Sequence, residues 1–407
     1  MIGPLRLVVS APAHAPTLAV GGGPVAVGGT DQATTAILTV DLLRRGVPVV
    51  LTPTPDIHPV TGGLVWDGQW RPATTPPPTT EAGWDLAFYT SGSSTGQPHL
   101  YAFTRAQLAH VALWYRDLYH LTSDSLLITA MPATYNFTAV AGVLAASVTG
   151  ARLELATDPG AALERARTLA PHHDRCVILA NPVMLQHAAD HLVGRLPGNV
   201  LIDSGGAPLS TTAITLFREH VADLREGYGL TETGSLTHFD VQGSADSLGT
   251  VGAAVPGCTA TVASDAAAPL LSITSPAVGR QITPEGHLGP ERTSLTTTDL
   301  ARIDPHGRLR LLGRADDTAV NGLWPRDTLD LIGPALGTRC ALVRHPRPDR
   351  ITVRLLDGAK PLNTGDLRRR IADATSLTPQ DVQIDVEQQR VLLHSHKLPR
   401  HTAGHHQ

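Results

Sequence analysis

The sequence predicts an α/β fold: a large N-terminal domain of parallel sheets with flanking helices plus a small barrel-like region, and a small C-terminal α+β domain. Three observations predict it. Between Leu86 and Val221 short apolar runs alternate with amphipathic stretches of helical length, the pattern of a parallel sheet covered on both faces. From about Ser235 the grain changes to short strand-like pieces cut by Gly and Pro, as far as Gly313. After Arg314-Ala315-Asp316-Asp317 a compact α+β tail follows. The boundary is set at Asp316, giving a large domain over 1–315 and a small one over 316–407, and 407 residues suffice for both.

The elements follow in order. Leu5–Val9, Leu18–Val20 and Val25–Val27 are short apolar runs among Gly and Pro. A helix is expected over Asp31–Arg45, with Ala36, Ile37, Val40, Leu42 and Leu43 apolar and Gly46 as its cap. Val49-Val50-Leu51 then completes a βαβ-like pattern, and the proline-rich Arg71–Thr80 is a connector. Thr104 caps an amphipathic helix to about Tyr119, with Leu108, Val111, Ala112, Tyr115 and Leu118 on one face. Strands are expected at Ser125–Met131, Arg152–Leu155, Cys176–Ala180 and Val200–Asp203. Helices are expected at Ala139–Val148, Ala161–Leu169, Val183–Leu196 and Ser210–Val221. The tail carries strands near Cys340–Arg344, Ile351–Leu356, Val382–Val386 and Val391–His394, and a helix over Thr364–Ala374.

Composition narrows the function. A net charge of −4 with 17% charged residues gives no electrostatic case for nucleic acid or an anionic membrane. Arg368-Arg369-Arg370 falls on a predicted helix and reads as a solvated face. Cys176, Cys258 and Cys340 are far apart without CxxC spacing, which argues for a reducing compartment and against a zinc site. Met1–Leu7 lacks the pattern of a signal peptide, and no apolar run approaches the ~18 residues of a membrane span. A cytoplasmic location is the expectation.

Four segments carry chemistry. Leu86-Ala87-Phe88-Tyr89 feeds the small residues Thr90-Ser91-Gly92-Ser93-Ser94-Thr95-Gly96, closed by Gln97-Pro98. Glycines let successive N–H groups point into one concavity, and the hydroxyls add donors, which makes a cradle for phosphate oxygens. The same composition also describes a flexible linker, but apolar runs lead in and out of this one. It is not the P-loop of nucleotide triphosphatases, because G-x-x-x-x-G-K-[ST] is absent. In Ser204-Gly205-Gly206-Ala207-Pro208, a strand ends on two glycines where a flat ring can approach the backbone; an ordinary βα turn reads the same way. Tyr228-Gly229-Leu230-Thr231-Glu232 gathers an aromatic face, a hydroxyl and a carboxylate suited to Mg²⁺, or forms a polar surface loop. Finally, Thr298-Asp299 and Gly313-Arg314-Ala315-Asp316-Asp317 place an acceptor for ribose hydroxyls near a permanent cation, or make a hairpin with a charged end.

Together these segments resemble the ordered signature of the adenylate-forming superfamily: acyl-CoA synthetases, carrier-protein ligases, nonribosomal adenylation domains and luciferases. The cradle resembles that family's YTSGSTGxPK loop, Ser204–Pro208 its SGGAP turn and Tyr228–Glu232 its YGxTE motif. Thr298-Asp299 resembles its (T)GD, Gly313–Asp317 its GRxDD hinge, and Leu398–His405 its closing LPRTxxGK. Coverage runs from about Asp85 to the C-terminus, and the short stretch before the cradle implies a trimmed N-terminal subdomain.

The resemblance implies ATP-dependent activation of a small carboxylic acid as acyl-adenylate, with loss of pyrophosphate. A thiol, of CoA or the phosphopantetheine of an acyl or peptidyl carrier protein, would then take the acyl group, in specialised biosynthesis. It implies that Thr90, Ser91, Gly92, Ser93, Ser94, Thr95 and Gly96 hold phosphates. Gly206, Ala207 and Tyr228 would flank adenine, with Gly229 also cofactor-binding; Asp299 would hold the ribose, and Arg314 the ribose or phosphate. Thr231 and Glu232 would serve phosphate and Mg²⁺. Pro132–Phe137, with Tyr135, Asn136 and Phe137, would line the acyl pocket beside Gly205, and Asp316 would be the hinge of a mobile small domain.

The pattern breaks in four places. The cradle carries an extra Ser and has His99 for the usual Lys; Thr298 replaces a Gly; the hinge loop Thr318–Gly322 is short and lacks its common Lys; and His405 stands for the closing Lys. Losing a charge-assisted hydrogen bond costs roughly 1.5–3 kcal/mol. Adenylation is therefore expected either to be slow or to have His405 or Lys397 take over the catalytic contact. The alternatives are a degenerate nucleotide- or carrier-binding pseudoenzyme, and an adenylating enzyme with an amine or other non-thiol acceptor.

Overall fold

Apolar runs become strands where Gly, Pro or Asp interrupts them, and the amphipathic stretches between become helices. The computed structural model describes residues 8–9, 24–28, 31–52, 64–66, 70–72, 83–90, 98–190, 194–263, 269–358 and 362–387. They fall into two units.

The first unit comprises Met1–Leu179, Gly229–Thr237 and Thr274–Ser294. One sheet sets Val8–Val9, Arg152–Leu155, Leu126–Thr129 and Cys176–Ala180 side by side, all parallel. The other has the order Arg280–Ile282, Leu100–Phe103, Leu86–Tyr89, Val49–Leu51, Val25–Val27, Leu64–Trp66, Trp70–Pro72. It is parallel in the middle and antiparallel at both edges. The expected βαβ pattern is present, around helix Gln32–Arg44, whose N-cap Asp31 accepts from the Thr34 N–H at 3.1 Å. Gly46, at φ +72°, takes the left-handed conformation just past its end.

Helix Arg105–Tyr119 opens on a reciprocal cap: Gln107 N–H donates to Thr104 Oγ1, and Thr104 N–H to Gln107 Oε1. Such a cap stabilises by about 1 kcal/mol. Leu108, Val111, Ala112 and Tyr115 bury the expected face. The helix expected over Ala139–Val148 is present, as a π-helical segment, Thr138–Leu144, continuing as α-helix Ala145–Thr149. A string of Ala, Gly and Val fixes no helical period, so sequence could not separate the two.

The second unit comprises Ala180–Tyr228, His238–Ile273 and Leu295–Gln407. Helix Pro182–Ala189 is shorter than the expected Val183–Leu196; Asn181 caps its start. Val200–Ser204 and Asp223–Tyr228 pair in parallel, and His238–Phe239 and Ala253–Ala254 extend them antiparallel. Thr259–Val262, Leu270–Thr274, Ser294–Ile303 and Leu309–Arg314 form a separate four-stranded sheet.

The tail of this unit is a three-stranded sheet, Ala341–Arg347, Arg350–Leu356 and Val382–Glu387, packed on helices Pro325–Leu336 and Thr364–Thr375. Leu329, Ile332, Val343, Ile351, Val353, Leu355 and Ile371 form its core. Each such side chain contributes roughly 1.5–3 kcal/mol on burial. Helix Pro325–Leu336 was not foreseen, because Gly333 and Pro334 oppose helix by propensity. Packing overrides them: a Cβ on Gly333 would lie 2.8 Å from Thr212 Oγ1, so the bare backbone seats against the start of helix Thr211–His220. All three cysteines are buried. The expected strand Val391–His394 lies outside the described residues. No helix among the described residues is long and apolar enough to cross a membrane.

Candidate active site

In the second unit, strand Val200–Ser204 runs into the Gly205–Pro208 turn. The Gly205 N–H donates to the Ala180 carbonyl at 3.0 Å, and Gly206, at φ +84°, holds a conformation that favours glycine. Gly205 is buried; Gly206 is exposed and Ala207 half-buried, so the latter two are open to a ligand.

Tyr228 ends the neighbouring strand. Its hydroxyl donates to Asp299 Oδ2 at 2.7 Å, and both residues are buried. Asp299 stands opposite Arg314 in an antiparallel pair, with Oδ1 3.3 Å from Arg314 Nε. Arg314 also donates to Thr298 Oγ1, so the Thr that replaces the family's Gly holds the guanidinium. Burial first, and then the Asp299 carboxylate, hold the Tyr228 phenol well above its ordinary range, so it stays a neutral donor. A carboxylate offers about four acceptor positions, so Asp299 retains capacity for hydroxyls. Sequence reasoning missed His238, which pairs with Tyr228 across the strands, ring centroids 6.0 Å apart.

Gly229 and the residues after it, up to Thr237, belong to the first unit. A Cβ at Gly229 would lie 1.2 Å from the Ser235 carbonyl oxygen, so this glycine answers to close backbone packing. Thr231–Thr233 is a single 3₁₀ turn; Thr231 and Glu232 are half-buried, and the Gly279 N–H fixes the Glu232 carbonyl at 2.8 Å. Ser235 follows at φ +113°, a strained conformation for a side chain and of the kind that gathers at functional sites. Its Oγ lies 2.8 Å from the Tyr115 hydroxyl, and the Tyr115 ring packs against Phe137 at 6.4 Å. Tyr115 thus joins the Thr231–Ser235 loop to the predicted acyl-pocket segment. Beside Phe137, the Asn136 amide Nδ2 is buried without a hydrogen-bond partner among the described residues.

The two ends of the cradle are stitched together. Thr90 N–H donates to the His99 carbonyl at 2.7 Å, and His99 N–H to Thr90 Oγ1 at 2.9 Å. Ser91–Gln97, and with them Ser91, Gly92, Ser93, Ser94, Thr95 and Gly96, lie outside the described residues. Tyr101, on the strand leaving the cradle, was not foreseen either. Burial, then the Glu232 carboxylate, raise its phenol, opposed by Arg292. Among the described residues no three His, Cys, Asp or Glu side chains form a self-sufficient metal site. Mg²⁺ needs none, since it takes one or two carboxylates with phosphate oxygens, and Glu232 fits that demand.

At the predicted hinge, Arg344 spans both aspartates, Nη2 to Asp316 Oδ2 at 2.7 Å and Nε to Asp317 Oδ1 at 2.8 Å. The Asp317 side chain is 1% exposed and that of Asp316 51%, so Asp317 is the buried anchor and Asp316 its exposed neighbour. Lys397 and His405 lie outside the described residues.

A family model described as AMP-binding enzyme matches residues 26–272. The chain belongs to that family. This AMP-binding enzyme is therefore an adenylate-forming ligase, as its motifs implied. Asp299 and Arg314 lie beyond the matched span, but the Tyr228–Asp299 hydrogen bond ties them to it. Among solved structures, ATP-bound MatB from Rhodopseudomonas palustris is 17% identical, with TM-score 0.67 over 93% of this chain and 90% of that one. O-succinylbenzoate CoA synthetase (MenE) from Bacillus subtilis in complex with AMP is 18% identical, with TM-score 0.68 over 91% and 85%. Its complex with ATP and magnesium ion gives TM-score 0.69 at 17% identity, over 91% and 86%. At such identities the likeness speaks for the fold. No curated protein matches the sequence.

Proposed function

We propose that this AMP-binding enzyme uses ATP to activate a small carboxylic acid and passes the acyl group to a thiol, of CoA or a carrier protein's pantetheine, in specialised biosynthesis in the cytoplasm. The observation that carries the reading is the buried Tyr228–Asp299 pair with Arg314 half-buried beside it. An oriented carboxylate between a neutral phenol and a permanent cation is built to accept paired ribose hydroxyls. Gly206 and Ala207, on a strand's carboxyl end, suit the flat adenine ring.

In the reaction, a carboxylate oxygen attacks the α-phosphorus, the bond to pyrophosphate breaks, and an acyl-adenylate forms. A thiolate then attacks the acyl carbon and AMP leaves. Thr90 to Gly96 hold the phosphates, and Thr231 contributes its hydroxyl. Glu232, with phosphate oxygens, would hold Mg²⁺, which neutralises charge on the departing pyrophosphate. The buried Asn136 amide favours an acid bearing a further acceptor oxygen, because an unmade hydrogen bond there costs about 1–3 kcal/mol. His405 supplies the contact ordinarily made by lysine, and the tail from Asp316 on is the mobile small domain.

ATP–pyrophosphate exchange across a panel of carboxylic acids tests the reading. Exchange with at least one acid is expected, and His405→Ala slows it more than Lys397→Ala. Equal rates for His405→Ala and the parent remove His405 from the mechanism. The replacement of the cradle and closing lysines by His99 and His405 favours a second reading, nucleotide binding without turnover. ATP binding with no exchange for any acid would select it, and incubation with CoA, carrier protein or amines identifies the acceptor.

A further inference from the structure

Glu226 lies two residues before Tyr228, and the two side chains share the buried face of strand Asp223–Tyr228. Glu226 is only 4% exposed, as is Arg326 on the tail helix Pro325–Leu336. Glu226 Oε1 accepts the N–H of Leu209, the residue that leaves the Gly205–Pro208 turn, at 3.2 Å. Its Oε2 lies 3.7 Å from Arg326 Nη2, too far for a hydrogen bond, so charge alone holds the pair. Arg326 Nε is 3.2 Å from Asp330 Oδ2, and Asp330 Oδ1 accepts the Thr211 N–H at 2.8 Å. Arg310 binds Asp327 and Asp330 at 2.9 and 3.1 Å. One buried network thus joins the tail helix, the glycine turn and the strand of Tyr228.

We propose that Glu226 is a positioning residue for the adenine-binding turn and that Arg326, as its counter-charge, couples docking of the tail to nucleotide affinity. The proposal rests on the reading of Gly206 and Ala207 as the adenine site. With Arg326 seated, its charge favours the ionised form of Glu226, which holds the Leu209 N–H, and through it the turn. Withdrawal of Arg326 leaves a buried carboxylate without a counter-charge, which must gain a proton or water. Burial already pushes its pKa upward. Either response changes the acceptor that Leu209 meets. By linkage, ATP favours the docked tail by the same factor as docking favours ATP.

The test uses the full chain, with ATP affinity from calorimetry and limited proteolysis of the 316–322 segment. Arg326→Met is expected to weaken ATP binding about tenfold, within the usual range of coupling energies, and to expose the segment. Adding Glu226→Gln, whose amide oxygen still accepts from Leu209, should recover most of that affinity. ATP should protect the segment in the parent and not in the double variant. Arg326→Met that loses thermal stability yet binds ATP like the parent overturns the coupling. Should that variant not fold, the double variant, with no charge left unpaired, carries the test: protection by ATP equal to the parent's overturns the coupling. A parent protein that binds no ATP overturns the functional reading, and the coupling with it.

Discussion

The hydroxyl of Tyr228 donates to Oδ2 of Asp299 at 2.7 Å, across 71 residues of chain. That bond holds one carboxylate oxygen while the other faces Arg314, so the orientation of Asp299 is set within the protein itself. Preorganisation of this kind lowers the cost of binding.

Tyr228→Phe keeps the ring and removes this bond. A hydrogen bond to a charged group is worth roughly 1.5–3 kcal/mol, so the KM for ATP should rise about tenfold or more while the KM for the acid stays put. Initial-rate kinetics with each substrate varied in turn will show the split; equal rises would point to general loosening.

Glu232→Gln should raise the Mg²⁺ concentration needed for half-maximal exchange, by an order of magnitude, as a ligand charge is lost. A Mg²⁺ titration at saturating ATP measures it. An unchanged midpoint would remove Glu232 from the metal site.

Burial lowers the pKa of both His238 and His345 to about 4. His345 Nε2 meets the Thr328 hydroxyl at 3.0 Å and Nδ1 the Thr318 carbonyl at 3.2 Å, which favours the neutral ring with its proton on Nδ1. The unfolded chain takes up protons near pH 6.5 and the folded protein does not. Stability is therefore complete above pH 6.5, declines as pH falls, and levels near 4. By pH 5 each histidine should cost on the order of 2 kcal/mol. Urea midpoints at pH 7.5 and 5 should differ less in His345→Gln than in the parent.

Gln186 clasps the tail from helix Pro182–Ala189: Oε1 accepts the Cys340 N–H at 2.6 Å and Nε2 donates to the Asp357 carbonyl at 2.8 Å. Gln186→Leu leaves the buried Cys340 N–H without this acceptor, at about 1–3 kcal/mol. Its urea midpoint should fall, while the exchange rate per folded molecule holds. A midpoint equal to the parent's would mean the tail is held elsewhere.

What could be read from sequence was what depends on neighbours along the chain. Asp31, Thr104 and Ser210 stand as caps where the helices begin, and Leu86–Tyr89 and Val200–Ser204 are strands because their apolar runs are buried. Motif order grouped Tyr228, Asp299 and Arg314, and their side chains are in contact. What could not be read depends on distant partners. Gly333 and Pro334 sit in a helix because Ser210 and Thr212 pack against it, and the role of Glu226 depends on Arg326, a hundred residues further along the chain. Ser235 is strained by a fold whose turn no propensity encodes.

Cys176, Cys258 and Cys340 are all buried, and burial pushes the thiols of Cys176 and Cys340 up to about 12. Electrophiles react with thiolate, so the native chain is a quiet background for maleimide dyes at neutral pH. Val386, exposed at the end of the tail sheet, can then carry a single engineered cysteine whose fluorescence tests whether the tail moves during turnover, with no native thiol to remove first.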